Sequence, residues 1–405
     1  MTILFLSLRG SVPLRPKQSL RLLRSIGWTS LAMTKGAVIL ALLFCSSAGY
    51  AAAADESAGE KALQERQRLE WKKFYLDAAG VDMPQTSLAI DFFNQAVEAY
   101  QGQDYELARE ALAESLKLNA RNAFAYELLG DMASEEHDLA AARENYRKAY
   151  LIQPSAKLQE KIEKAAREVH LDEGFQSFTE GHFLIRAKGK NENEIKQVAV
   201  ELERLFAKLA KDFGYAPREA LTVTLYERAE FEELTRLPHW VGGVYDGKIR
   251  LPAYSRGILS SQFSAVAVHE MTHAFVGRLS HKKAPAWIQE GLAVFMETQA
   301  QPRDFMVLRL AVKTNSLLPL DQLMNEEKVT QQSDVLFASL FYEQAYALTD
   351  YLLQKYGMFK IKKMLKAFAD SNDYDEAIRT AFKIDLMKLE KKWKNSLTAH
   401  YPSAA

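Results

Sequence analysis

The chain has 405 residues, of which 48% are hydrophobic, and its 52 basic and 52 acidic residues leave no formal net charge. This length accommodates two or three domains with well-packed cores. The charge balance argues against a polyelectrolyte partner and excludes nucleic-acid binding through a strongly basic face. Cys45 is the one cysteine, so the chain cannot form internal disulfides or a zinc site built from several thiolates.

Residues 1–54 have the pattern of a secretory signal peptide. Lys35 precedes an apolar run at 37–44, and small residues then end the segment at Ala54 with an A-x-A cleavage pattern. Met33 would begin a signal of ordinary length, which would make the preceding residues either an over-extended start or a long basic leader. The segment predicts export from the cytoplasm.

Two alternatives for this N-terminal segment stay open. Cys45 would carry the lipid of a lipoprotein, although the bulky Phe44 before it is unsuited to cleavage at that point. An uncleaved anchor would need an apolar core of about 20 residues, and the run present is shorter. We therefore expect a secreted or periplasmic protein that has no membrane span after cleavage.

Residues 61–84 predict a helical lead-in, and residues 85–170 resemble two tetratricopeptide repeats. The second unit has residues at the repeat spacing: Tyr126, Leu129, Gly130, Ala142, Tyr146, Ala149 and Pro154. A looser copy lies 34 residues earlier: Phe92, Ala96, Ala108, Leu112 and Ser115. A closing helix at 156–169 would cover the last apolar face. The resemblance implies a short groove for a protein partner, and a plain helical bundle is the alternative.

From about residue 175 the pattern indicates alternating strands and helices. Strands are expected at 183–185, 221–226 and 248–251, and helices at 191–213 and 229–237. We expect these strands to form a small mixed sheet. The free edge of the strand at 248–251 would be available to pair with an extended substrate.

An HExxH motif follows, formed by His269, Glu270 and His273. Residues four apart share one face of a helix, so the two imidazoles could meet at one metal ion. Glu270 could face that metal without binding it and accept a proton from a water held there. Glu290, in an apolar helical pattern that starts after Pro285, would supply a third, anionic ligand and leave the fourth zinc position open.

Each of these residues also has a structural alternative. The histidines could be core residues satisfied by carbonyl groups, and Glu290 could form a salt bridge. Glu297 lies on the same helix face as Glu290 and would either orient a histidine or be a surface carboxylate. Gly291 would let another backbone approach closely beside Glu290.

The motif, the 16-residue gap and the W-x-x-E-G-x-A setting of Glu290 resemble the gluzincin metallopeptidases, and most closely their peptidase MA-like domains. The resemblance also includes segments 182–186, 243–252 and 342–346, and implies a zincin-like domain over 175–400. It implies that His269, His273 and Glu290 bind Zn²⁺ and that Glu270 is the general base.

The remaining C-terminal segments predict helices at 304–314, 319–325, 334–356, 358–370 and 385–398. The fold class is therefore α+β, with a tetratricopeptide-like helical region followed by a zincin-like domain.

Three side chains outside the motif are further candidates for a role in the reaction. Tyr342 and Tyr346 are candidates for stabilising the oxyanion, although core packing would also explain them. His239 could reach the cleft or be a loop residue without a role.

These observations predict an exported zinc metallopeptidase with a narrow choice of peptide or protein substrate, aided by the repeats. The alternative is an envelope adaptor that binds a partner through its repeats and has a structural zincin domain. No nucleic-acid partner is expected.

Overall fold

The computed structural model describes residues 85–237, 241–252, 260–324, 335–370 and 373–400. The predicted signal peptide at 1–54, the helical lead-in at 61–84 and His239 lie outside these residues. Among the described helices, none is both long enough and apolar enough to cross a membrane.

Five helices form the N-terminal region. They are α1 (Gln85–Gln101), α2 (Tyr105–Leu118), α3 (Ala123–Glu135), α4 (Leu139–Ile152) and α5 (Ala156–Leu171). α1 packs against α2, α3 packs against α4, and α5 covers α4. The architecture of two helix pairs and a closing helix is the one expected, while the tetratricopeptide assignment stays a sequence-based interpretation.

Local sequence explains where these helices begin and how closely they pack. The side chains of Asp104, Asn122 and Asp138 each accept a hydrogen bond from the backbone N–H three residues later, which caps α2, α3 and α4. A Cβ at Gly130 would lie 2.5 Å from the ring of Tyr146, so glycine is required for the contact between α3 and α4.

A five-stranded mixed sheet follows the helical region. Its strands are β1 (Phe175–Glu180), β2 (Phe183–Lys188), β3 (Leu221–Tyr226), β4 (Val244–Tyr245) and β5 (Ile249–Pro252), in the spatial order β1-β2-β3-β5-β4. β2, β3 and β5 are parallel, whereas β1 and β4 are antiparallel to their neighbours. Helices α6 (Glu192–Phe213) and α7 (Arg228–Thr235) connect the strands.

The sheet differs from the expected one in two ways. β1 was not predicted, because most of its side chains are polar and exposed along an edge strand. The strand at 248–251 has no free edge at its start, since β4 pairs with Ile249 and Arg250. The chain reverses at Gly247, whose φ is 96°, so β4 and β5 form a hairpin.

The C-terminal part is helical. It contains α8 (Ser261–Leu279), α9 (Ala286–Ala300), α10 (Met306–Lys313), α11 (Leu320–Leu323), α12 (Val335–Asp370), α13 (Tyr374–Phe382) and α14 (Leu386–His400). Gly357 interrupts α12 with a φ of 74°, at the predicted helix end. α13 was not predicted as a helix. One apolar core joins the sheet to these helices, from Phe183 to Leu397, and the fold class is α+β.

Candidate metal centre

Helices α8 and α9 pack against each other and carry the candidate ligands. Ser260 caps the start of α8 by accepting a hydrogen bond from the N–H of Phe263, and Pro285 precedes α9. Phe263, Met271 and Phe275 fix the opposite side of α8 in the core. The polar positions of α8 are therefore turned towards α9.

The structure brings His269, His273 and Glu290 together. One ligand atom from each lies within 4.8 Å of the others. Oε2 of Glu290 is 3.6 Å from Nε2 of His269 and 3.8 Å from Nε2 of His273. Two atoms bound to one tetrahedral zinc at about 2.1 Å would be about 3.4 Å apart, so the donor set fits such an ion.

Glu297 lies against His269, which makes the surface alternative for this carboxylate wrong. Its Oε2 is 2.9 Å from Nδ1 of His269, and its side chain is only 24% exposed. The seven-residue spacing from Glu290 places both carboxylates on one face of α9. The contact fixes the ring so that Nε2, the other nitrogen, faces Glu290.

Glu270 is buried beside the three candidate ligands without belonging to their cluster. Burial raises its pKa to about 7, opposed by His269 and reinforced by the negative charge of Glu290. A Cβ at Gly243 would lie 2.9 Å from Cγ of Glu270, so the entry to the hairpin touches this side chain. A carboxyl group with a pKa near neutrality can both accept and release a proton.

The two imidazoles have different surroundings. Burial lowers the pKa of His269, but its close contacts with the carboxylates of Glu290 and Glu297 outweigh that effect and raise the pKa to about 10. Burial lowers the pKa of His273 to about 4, only partly opposed by Glu290. The excess of negative charge is therefore concentrated around His269.

The two tyrosines occupy different environments. The negative charge of Glu290 raises the pKa of Tyr342, and burial and Glu270 add to the effect, so this phenol lies within electrostatic range of the two carboxylates. Tyr346 instead stacks on Phe305, with ring centroids 4.2 Å apart. Of the two candidates, Tyr342 is positioned at the site and Tyr346 lies in an aromatic stack.

Gly291 sets the distance between α9 and α12. A Cβ at this position would lie 2.6 Å from the carbonyl oxygen of Ala345 and 2.1 Å from Oγ1 of Thr349. The expected close approach of another backbone is thus confirmed. It brings the α12 segment that carries Tyr342 beside Glu290.

Comparison with known proteins agrees with this geometry. Residues 202–399 match the family model for the Peptidase MA superfamily. The chain is also 26% identical over 138 residues to "Uncharacterized protein YhcO" of Bacillus subtilis (strain 168). That match covers 33% of this chain and 40% of the relative. The part of the chain that holds the His–His–Glu cluster is therefore similar to the domains of the Peptidase MA superfamily.

Proposed function

We propose that this protein is an exported zinc-dependent metallopeptidase. The observation that carries the proposal is the convergence of His269, His273 and Glu290 beside the buried carboxyl group of Glu270. Two imidazoles and one carboxylate are a donor set typical of catalytic zinc, which leaves one position for water or substrate. The family match supports the same reaction class.

The chain's own residues account for the proton transfers. Bound zinc would polarise the scissile carbonyl and acidify the attacking water. Glu270 takes the proton from that water and delivers it to the leaving amine. Tyr342 donates its phenolic hydrogen to the oxygen that gains negative charge, while Glu297 holds the ring of His269 in place.

The substrate class follows from the reaction, whereas the proposed selectivity and export are inferred from the sequence. A peptidase domain acts on peptides or proteins, and we propose a narrow choice of substrate aided by the tetratricopeptide-like region. Export is inferred from the signal-like residues 1–54. Neither the balanced charge nor the site suggests a nucleic-acid substrate.

The test is hydrolysis of an unstructured polypeptide by purified protein, with and without a chelator, alongside Glu270→Gln. We expect chelator-sensitive cleavage, and a variant that retains one zinc while its rate falls by about 10²–10⁴-fold. Cleavage that persists in the chelator, or in a zinc-loaded Glu270→Gln protein, would refute the assignment.

The alternative is an adaptor in which the zincin domain only supports a binding surface. A structural zinc site has no need of a buried carboxyl group such as Glu270 next to its ligands. Cellular function separates the two possibilities, because Glu270→Gln would leave an adaptor working and would inactivate a peptidase.

A further inference from the structure

The β4–β5 hairpin lies between the metal-site helix and the N-terminal helical region. On the first side, its entry at Gly243 packs directly on α8. A Cβ there would lie 2.9 Å from Cγ of Glu270 and 2.8 Å from Cγ1 of Val266. Any shift of this backbone therefore changes the space that the Glu270 carboxyl group occupies.

On the second side, α5 holds the hairpin through a buried charge cluster. Glu168 accepts hydrogen bonds from Nζ of Lys248 at 2.7 Å and from both terminal nitrogens of Arg250 at 2.9 Å. The side chains of these three residues are 3%, 1% and 1% exposed. Glu168 is thus the buried counter-charge that the helical region supplies to the hairpin.

The tip of the hairpin contacts the helical region as well. Lys164 on α5 donates to Asp246 at 2.6 Å. A Cβ at Gly247 would lie 2.6 Å from Cγ of Glu135, so α3 packs on the turn itself. Glu135 also accepts a hydrogen bond from Lys282, which follows α8, at 2.7 Å. The helical region therefore contacts the hairpin at several points.

Strand pairing within the hairpin places the residues that contact α5 close to the residue that contacts α8. Arg250 pairs across the strands with Val244, the residue next to Gly243. A path of direct contacts thus runs from Glu168 through Arg250 and Val244 to the backbone against Glu270. Without Glu168, buried Lys248 would lose its carboxylate partner and buried Arg250 would keep Asp246 but lose its two bonds to Glu168. Removing one partner of a buried ion pair is strongly destabilising.

We propose that the helical region positions the catalytic base through this hairpin, and that Glu168 is the positioning residue. This proposal rests on the proposed peptidase function, and it makes residues 85–171 part of the active enzyme in addition to any docking role. Loosening Glu168 would leave the three metal ligands on α8 and α9 in place and would misplace Glu270.

The experiment compares Glu168→Gln with Glu127→Gln in the purified full protein supplied with Zn²⁺ alone. Glu127 is the matched control, since it pairs with Lys161 and Lys157 inside the helical region. Three quantities are measured: bound zinc, amide hydrogen exchange over residues 241–252 and 266–274, and kcat and KM on the cleaved polypeptide.

For Glu168→Gln we expect one zinc per chain, faster exchange in both segments, and a kcat about 10- to 100-fold lower at a similar KM, as misplacement of a catalytic group would give. Glu127→Gln should match the wild type in all three. If Glu168→Gln does not fold, Lys164→Met loosens the same hairpin through a more exposed pair and should show a smaller change of the same kind.

A folded, zinc-loaded Glu168→Gln or Lys164→Met protein with wild-type exchange and wild-type kcat would overturn the proposal. Equal effects of Glu127→Gln would also overturn it, because they would indicate general destabilisation. Absence of hydrolysis by the wild type would count against the peptidase function instead, and hydrogen exchange would still test the coupling between Glu168 and the hairpin.

Discussion

Two buried clusters of charge in this protein are built in opposite ways. At the interface cluster, Glu168 and Asp246 face Lys248, Arg250 and Lys164, so each carboxylate has basic partners. The metal-site cluster contains the carboxyl groups of Glu270, Glu290 and Glu297 and the imidazoles of His269 and His273. A basic side chain, that of Arg303, approaches Oε1 of Glu297 at 3.8 Å. In the first cluster every carboxylate has a basic partner and the basic groups outnumber the acidic ones by three to two, whereas the second has an excess of negative charge.

The difference indicates what each cluster is for. Buried charges are tolerated when they are paired with groups of opposite sign or when they coordinate a metal. A cluster in which every carboxylate has a basic partner holds two elements together without any ligand. An excess of carboxylates around two imidazoles is what a divalent cation would neutralise. Four experiments would break or sharpen this comparison.

The largest effect is expected at Tyr342. Replacing it with Phe removes a hydroxyl group whose pKa is raised by the charges of Glu290 and Glu270, and should lower kcat by about 10²-fold, as loss of an oxyanion donor does. Tyr346→Phe is the control, since this ring stacks on Phe305. Steady-state kinetics on the cleaved polypeptide would measure both. Equal rates for the two variants would remove Tyr342 from the mechanism.

A smaller effect on metal binding is expected at Glu297. Glu297→Gln weakens the hold on Nδ1 of His269, and zinc affinity should fall by about 10-fold, as for other residues that orient a ligand. Competition with a chromophoric chelator would measure the dissociation constant. The interface variant Glu168→Gln should keep wild-type zinc affinity. If it loses as much affinity as Glu297→Gln, the two clusters do not act independently in metal binding.

Acid should weaken the interface cluster in two steps. Burial, with Lys248 and Arg186, lowers the pKa of His137 from 6.5 to about 4, so the unfolded chain binds its proton first and stability falls as pH drops from about 6.5 to 4. Burial of Glu168 opposes ionisation, but Arg250 and Lys248 prevail and lower its pKa from 4.5 to about 2, which extends the loss from about pH 4.5 to 2.

Urea unfolding at several pH values would measure this loss. His137→Asn suits the position, because its φ of 66° is one that Asn adopts readily. The variant should flatten the first step and keep the second. If wild type and variant have parallel profiles between pH 6.5 and 4, His137 does not contribute to the acid sensitivity.

The smallest effects are expected for two helical glycines. Gly291→Ala would place a Cβ 2.6 Å from the backbone oxygen of Ala345 and should lower the free energy of unfolding by about 1–3 kcal/mol. Gly277→Ala on α8 meets no atom within 4 Å and should raise it by up to about 1 kcal/mol. Denaturation midpoints would measure both changes in stability. An unchanged stability of Gly291→Ala would contradict the tight contact between α9 and α12.

Much of the fold could be predicted because its signals are local. Apolar periodicity located most helices, and the capping residues and Gly357 explain several of their ends. The prediction missed β1 and β4, the strand that pairs with the expected strand β5. Polar edge strands have no apolar alternation, and a two-residue strand is too short to leave a pattern.

The sequence by itself determined the candidate metal centre, because ligands on one helix are read from a spacing of four residues and Glu290 stands in an apolar run. Only the tertiary structure decided that Glu297 meets His269, that Tyr346 stacks on Phe305, and that Glu168 meets Lys248 and Arg250. Glu168 and Arg250 are 82 residues apart in the chain. Such contacts depend on how whole elements pack, and no local pattern encodes them.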